Sequence, residues 1–81
     1  QITVRYFAGA AQAAANTSES IEISPGTTLE QLLAQLSQRS DELARVLAAS
    51  SYLINSRPAT DRSSVLDEGI NLDVLPPFAG G

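Results

Sequence analysis

The sequence predicts an α+β domain: a mixed sheet of four to five strands with one main helix packed on one face. Three observations carry this expectation. Leu29, Leu32, Leu33 and Leu36 recur at helical spacing, a single apolar stripe bounded by Glu30, Gln31, Gln35 and Gln38. Ile2 to Phe7, Glu19 to Ile23 and Ile70 to Leu75 carry the β-branched and alternating pattern of half-buried strands. The order along the chain is strand, strand, helix, strand, short segment, strand, and an apolar helix stripe of this kind needs a sheet to cover.

In Ile2-Thr3-Val4-Arg5-Tyr6-Phe7, the period of two puts Ile2, Val4 and Tyr6 on one face and Thr3, Arg5 and Phe7 on the other. Arg5 marks the second set as outward, so Phe7 is expected to be exposed. Ala8 to Asn16 is alanine-rich with one glycine and reads as a short helix or an irregular turn. Glu19-Ser20-Ile21-Glu22-Ile23 alternates, with Ile21 and Ile23 inward, and forms a second strand antiparallel to the first.

Ser24-Pro25-Gly26 is a turn, and Thr27 with Glu30 three residues on predicts a capping box for a helix over about 28–39. Ser40 or Asp41 caps a second, shorter helical piece carrying Leu43, Val46 and Leu47. Tyr52 to Asn55 is a third strand. Asn55-Ser56-Arg57-Pro58 is a turn, with a brief edge segment expected over Ala59 to Asp61. Val65-Leu66 anchors the chain before the turn Asp67-Glu68-Gly69. In the last strand Ile70, Leu72 and Val74 point inward, and Asn71, Asp73 and Leu75 outward. This order and length match the β-grasp, the ubiquitin fold, in which first and last strands lie side by side in parallel. Phe7 and Leu75 then share the open face of the sheet.

Composition bounds what the domain does. The 81 residues form one domain over 1–81. Folding buries only about 60–65% of the unfolded surface of so small a chain, which makes the core modest. An apolar fraction of 43% is that of a globular protein. There is no cysteine for a disulfide, thiolate nucleophile or thiolate metal site, and no histidine for the commonest general base and metal ligand. No metal site and no bound cofactor are expected, nor an enzyme active site built from these side chains alone. A net charge of −4, with five arginines and no lysine, argues against nucleic acid and suits a partner with a basic face. No run of membrane length and no signal peptide is present, so no membrane partner is expected.

The chain closes with Val74-Leu75-Pro76-Pro77-Phe78-Ala79-Gly80-Gly81. Proline lacks the N–H that a ladder needs, so Pro76 and Pro77 end the strand and stiffen its exit. Residues 76–81 are expected to form a flexible tail. Six residues extend to about 20 Å at ~3.3 Å each, a carboxylate on a thin probe. At ordinary glycine usage two terminal glycines arise by chance in roughly 0.5% of chains, so the pair gains meaning only from the body that carries it.

With that body the chain resembles the ubiquitin-like sulfur carriers ending in Gly-Gly, and among them the small subunits of molybdopterin synthase. The likeness spans the whole chain. It is carried by Ile2-Thr3-Val4-Arg5-Tyr6-Phe7-Ala8, by Thr27-Thr28-Leu29, by Leu66-Asp67-Glu68-Gly69, and above all by Leu75-Pro76-Pro77-Phe78-Ala79-Gly80-Gly81. The Ala8–Asn16 stretch departs from the charged short helix usual in that family. The resemblance implies a cytoplasmic carrier whose Gly81 carboxylate is adenylated by an ATP-using, ubiquitin-activating-type adenylyltransferase. A persulfide donor then converts it to a thiocarboxylate. The large synthase subunit, in a heterotetramer, takes the tail and passes sulfur to a cyclic pterin precursor. Gly81 is the reacting residue on this reading, and Gly80, Ala79, Phe78, Pro77, Pro76, Leu75 and Phe7 face partners. Sulfur donation to cysteine, thiamine or RNA, and isopeptide-forming protein modification, are the alternatives.

Overall fold

A computed structural model describes residues 1–77 of the chain. Its elements run β1 (Ile2–Tyr6), α1 (Gly9–Ala14), β2 (Ser18–Ile21), α2 (Leu29–Ser37), α3 (Asp41–Ala49), β3 (Ser51–Ile54), β4 (Arg57–Pro58) and β5 (Asn71–Leu75). The strands form one mixed sheet in the order β2-β1-β5-β3-β4. β1 and β5, the first and last strands, are adjacent and parallel; β2, β3 and β4 join by antiparallel pairing. This is the β-grasp arrangement expected from the element order.

The core follows the predicted parities. Ile2, Val4, Tyr6, Tyr52, Leu72 and Val74 are buried on the inner face of the sheet, and Leu29, Leu32, Leu33 and Leu36 close over them from α2. Fully burying a leucine side chain contributes about 1.5–3 kcal/mol, so this stripe decides where the helix lies. Leu43 and Leu47 of α3 and Ala10 of α1 complete the same cluster. Ala8–Asn16 thus resolves into a short helix that buries one alanine.

Three local expectations are corrected. Thr28, not Thr27, caps α2: its side chain accepts from Gln31 N at 3.2 Å, and the Gln31 side chain accepts from Thr28 N at 3.0 Å. Thr27 is engaged by the preceding turn, donating its hydroxyl to Ser24 O at 2.7 Å. The second helix is not shorter than the first: α3 and α2 each span nine residues, with Ser40 capping α3 through Leu43 N at 3.0 Å. The edge strand is Arg57–Pro58 rather than 59–61, because Asn55 (φ 49) and Ser56 (φ 69) make a two-residue turn that starts the return pairing at Arg57. Proline is tolerated there because β4 is an edge.

Candidate functional site

The site is built outward from the paired central strands. Burial of Ile2, Val4 and Tyr6 on one side of β1 leaves Thr3, Arg5 and Phe7 on the other, and β5 divides in the same way. The register pairs Arg5 with Asp73 and Tyr6 with Val74, so Phe7 comes beside Leu75 one step further on. The Phe7 N–H donates to Val74 O at 3.2 Å and ties that end of β1 to the last strand. Phe7 is 41% exposed and Leu75 half-buried. The two residues predicted to flank the root of the tail are therefore brought together on the open face.

The face extends further than those two. Leu53 of β3 lies opposite Asp73, and Pro58 of β4 lies opposite Leu53. Both stand on the open side because Tyr52 and Ile54 take the inner one. Together with Phe7 and Leu75 they make an apolar surface across β1, β5, β3 and β4. Sequence reasoning missed Leu53 and Pro58, although the parity of Tyr52 and Ile54 carried the signal for Leu53.

Asp73 points outward as predicted, yet it is only 5% exposed. The Arg5 guanidinium lies over it in a fork, Nε to Oδ1 at 2.6 Å and Nη2 to Oδ2 at 2.9 Å. Hydrogen bonding to Asp73, with the attraction of its charge, holds Arg5 still more firmly protonated than usual. The centre of the open face thus carries a neutralised pair rather than a free carboxylate, which lowers the cost of covering it with a partner.

On the inner side, at the margin of the sheet, Glu19 accepts from the Tyr6 hydroxyl at 2.7 Å and from Arg39 at 2.7 and 3.1 Å. The Arg39 fork lowers the Glu19 pKa, helped by the Tyr6 hydrogen bond and opposed by partial burial. Burial first, then the bond to Glu19, raises the Tyr6 phenol well above its ordinary value. Tyr52 is pushed up to about 12 by burial and donates to Leu47 O. Both phenols are bonded within the fold and stay protonated near neutral pH. They are structural groups, not acid–base ones. Among the described residues, no cluster of acidic, histidine or cysteine side chains has the geometry to hold a metal.

The described chain ends at the tail's base. Pro76 is half-buried and Pro77 exposed. With Ala8, Gly9, Arg45, Val46 and Ala49 they line a groove of about 460 Å³ at one end of the sheet. Phe78, Ala79, Gly80 and Gly81, the remaining predicted site residues, lie outside the described residues.

The model of the ThiS family matches residues 4–81, nearly the whole chain. The chain belongs to the ThiS family. That match bears out the resemblance read from the sequence: this is a ubiquitin-like sulfur carrier of β-grasp fold. No curated protein matches the chain in sequence. Several solved structures share its fold. A putative molybdopterin converting factor subunit 1 from Pyrococcus furiosus is 24% identical, with a TM-score of 0.84 over 94% of this chain and 95% of that one. SAMP1, a small archaeal modifier protein from Haloferax volcanii, is 22% identical, with a TM-score of 0.82 over 99% and 98%. A chain from the complex of subunits 1 and 2 of molybdopterin-converting factor from Helicobacter pylori is 24% identical, with a TM-score of 0.72 over 99% and 97%. At these identities the likenesses carry the fold alone. In this ThiS-family chain no helix of the described residues is long and apolar enough to cross a membrane.

Proposed function

We propose that this carrier is the sulfur-donating small subunit of a molybdopterin synthase acting in the cytoplasm, with Gly81 as the residue that bears the sulfur. An ATP-using, ubiquitin-activating-type adenylyltransferase joins the Gly81 carboxylate to AMP and releases pyrophosphate. A persulfide sulfur from the donor attacks the carbonyl carbon and displaces AMP. A thiol then cleaves the S–S bond, leaving a thiocarboxylate on Gly81 and a disulfide on the donor side. The large synthase subunit receives the tail, and the thiocarboxylate sulfur bonds to a side-chain carbon of the cyclic pyranopterin precursor as that carbon's C–O bond breaks and the oxygen departs. Water hydrolyses the resulting thioester and restores the carboxylate. Two such cycles build the dithiolene. ATP is consumed by the partner; this chain binds no cofactor of its own.

The observation that carries the reading is the parallel pairing of β1 with β5. It sets Phe7 and Leu75 on the open face at the point where Pro76-Pro77 leads towards Gly80-Gly81. The last two residues have no Cβ and suit a narrow channel. The Pro pair limits the entropy lost when the tail is ordered, and Phe78 is a further aromatic contact. That the Helicobacter pylori relative was solved with its subunit 2 supports a large-subunit partner. Likeness to SAMP1 favours a second reading, a modifier or a carrier for another acceptor.

The test is intact mass after incubation with ATP, a matching adenylyltransferase and a persulfide donor. Wild type is expected to exchange one oxygen for sulfur. A chain lacking Gly81, and one with a residue added after it, fold normally and do not, since one residue displaces the end by about 3 Å and misplacement of about 1 Å can cost ~10²-fold in rate. Thiolation of both variants overturns the assignment of Gly81. Discharge of the thiolated wild type by a different acceptor, and not by the large subunit with the pterin precursor, overturns the molybdopterin assignment alone.

A further inference from the structure

We infer that Arg5 is the polar specificity determinant of the open face, donating to an uncharged oxygen acceptor, a main-chain carbonyl or an amide, on the partner that covers it. This rests on the reading of that face as the surface the proposed large subunit covers, and adds the chemistry that the subunit must offer at its centre.

The register runs one row across the sheet: Ser18 of β2, Arg5 of β1, Asp73 of β5, Leu53 of β3 and Pro58 of β4 stand opposite one another in turn. Phe7 and Leu75 lie two residues further along β1 and β5, on the same side. The charged pair in this row is asymmetric. The Asp73 side chain is 7% exposed and both its oxygens accept from Arg5, whereas the Arg5 side chain is 44% exposed. A guanidinium has five N–H donors and the fork to Asp73 takes one at Nε and one at Nη2, so three remain, two on Nη1 and one on Nη2. Among the described residues none of the three meets an acceptor.

Water satisfies these donors while the face is open. A partner that covers the face removes that water, and the guanidinium cannot escape by losing a proton. A buried donor left unpaired costs most when it belongs to a charged group, so a fitting partner places an acceptor there. The charge of that acceptor follows from the pair. Arg5 is already neutralised by Asp73, and the chain as a whole carries −4. A partner carboxylate brought to Arg5 would rest close to that of Asp73 in a site emptied of water, where like charges repel strongly. A carbonyl or amide oxygen accepts the same N–H groups and adds no charge. The apolar residues around the pair accept any apolar surface, while Arg5 disfavours one that leaves its donors unpaired.

The experiment is calorimetric titration of the full chain and its variants with the large subunit of a molybdopterin synthase, with melting temperatures measured alongside. Arg5→Met with Asp73→Val replaces the pair by apolar side chains, keeps the net charge and leaves no buried carboxylate unpaired. Its melting temperature is expected to equal or exceed that of wild type. Its affinity is expected to fall about tenfold or more, because the partner's oxygen loses its donor. A pair that served the fold alone would leave affinity unchanged or raised, and that result overturns the inference. Asp73→Asn reads the charge of the acceptor by sign, and serves also should the double variant fail to fold. It keeps an oxygen for Arg5 but removes the compensating charge. Against an uncharged acceptor the affinity drops about tenfold or more, since docking now buries a cation without its counter-charge. Against a carboxylate it rises; a rise or no change overturns the inference. Phe7→Asp separates this inference from the reading beneath it. If Phe7→Asp weakens binding and the double variant does not, Arg5 is no determinant and the open face stands as the interface. If none of the three variants alters affinity, the open face is not the interface and both fall.

Discussion

Replacing Ala8 with glycine is expected to stabilise this protein, although it removes a methyl group. The Phe7 carbonyl accepts from Ala10 N at 3.0 Å, which makes residues 7–10 a β-turn with Ala8 at its second position. There φ is 49 and ψ is −127, the first central position of a type II′ turn, where glycine is the favoured residue. Holding a non-glycine residue in such a region costs about 1–3 kcal/mol. Glycine loses about 0.4–1 kcal/mol more backbone entropy on folding, which offsets part of the relief. Ala8 is exposed, so little burial is lost with its methyl. The net gain is about 0.5–2 kcal/mol, and each kcal/mol raises the melting temperature of a domain this size by roughly 4–8 °C. Urea unfolding with a shared slope is the assay, because an altered m-value would signal a changed denatured state instead. A midpoint equal to or below that of wild type refutes the strained turn.

The other predictions concern pH and docking. Glu19 has a depressed pKa, so its contribution is fully present above the ordinary glutamate value of about 4.3 and is lost as pH falls through the folded value. The urea midpoint of wild type should therefore fall more steeply than that of Glu19→Gln from about pH 4.3 downwards; parallel curves reject the Arg39–Glu19 account. Tyr52, raised to about 12, contributes stability that is present below about pH 10 and lost as pH rises through the folded value. The full loss is on the order of a few kcal/mol, and Tyr52→Phe should remove that part of the alkaline limb while costing about 1 kcal/mol at neutral pH for the bond to Leu47 O. Phe7→Asp should weaken binding to the proposed large subunit by roughly 30-fold with little change in melting temperature, the loss expected of an interface anchor. Leu75→Asp should do the same with a larger drop in stability, because Leu75 is half-buried; unchanged affinity in both removes the open face from the interface.

What the sequence disclosed was periodic, and what it hid was relational. The period of two in Ile2-Thr3-Val4-Arg5-Tyr6-Phe7 assigned every residue to its observed face, and the leucine stripe of α2 identified the helix that covers the sheet. Periodicity names a face but not a neighbour. Asp73 was legible as outward, but its burial depends on Arg5, which stands 68 residues away and meets it only through the parallel pairing. Glu19 was legible as the start of a strand, while its service to Tyr6 and Arg39 needed three elements in place. The capping residue was ambiguous because Thr27 and Thr28 each precede an acid or amide by three positions. The choice was made from a distance: Thr28 bridges to Val65, and the loop before β5 accepts from Leu29 N at 3.0 Å through Ser64 O and from Glu30 N at 2.8 Å through Arg62 O. Those carbonyls satisfy two of the helix's free N–H groups, which fixes where it starts.

The same distinction explains why a terminal motif draws its meaning from the fold behind it. β5 is the central strand of the five, hydrogen-bonded on both sides, so the tail leaves from a well-braced part of the sheet rather than from an edge. Leu75 is paired with Ser51 on one flank, and Phe7 N is bonded to Val74 O on the other. The origin of the tail is therefore fixed relative to the apolar face that Phe7, Leu75, Leu53 and Pro58 make. A partner that covers this face fixes by the same contact where the chain beyond Pro77 begins. Reaction at a chain end is sensitive to displacements of about an ångström. On the proposed function, a domain without a cysteine or a histidine serves such chemistry by position: the sheet locates the root, the proline pair stiffens the exit from it, and the reacting groups belong to the proposed partners.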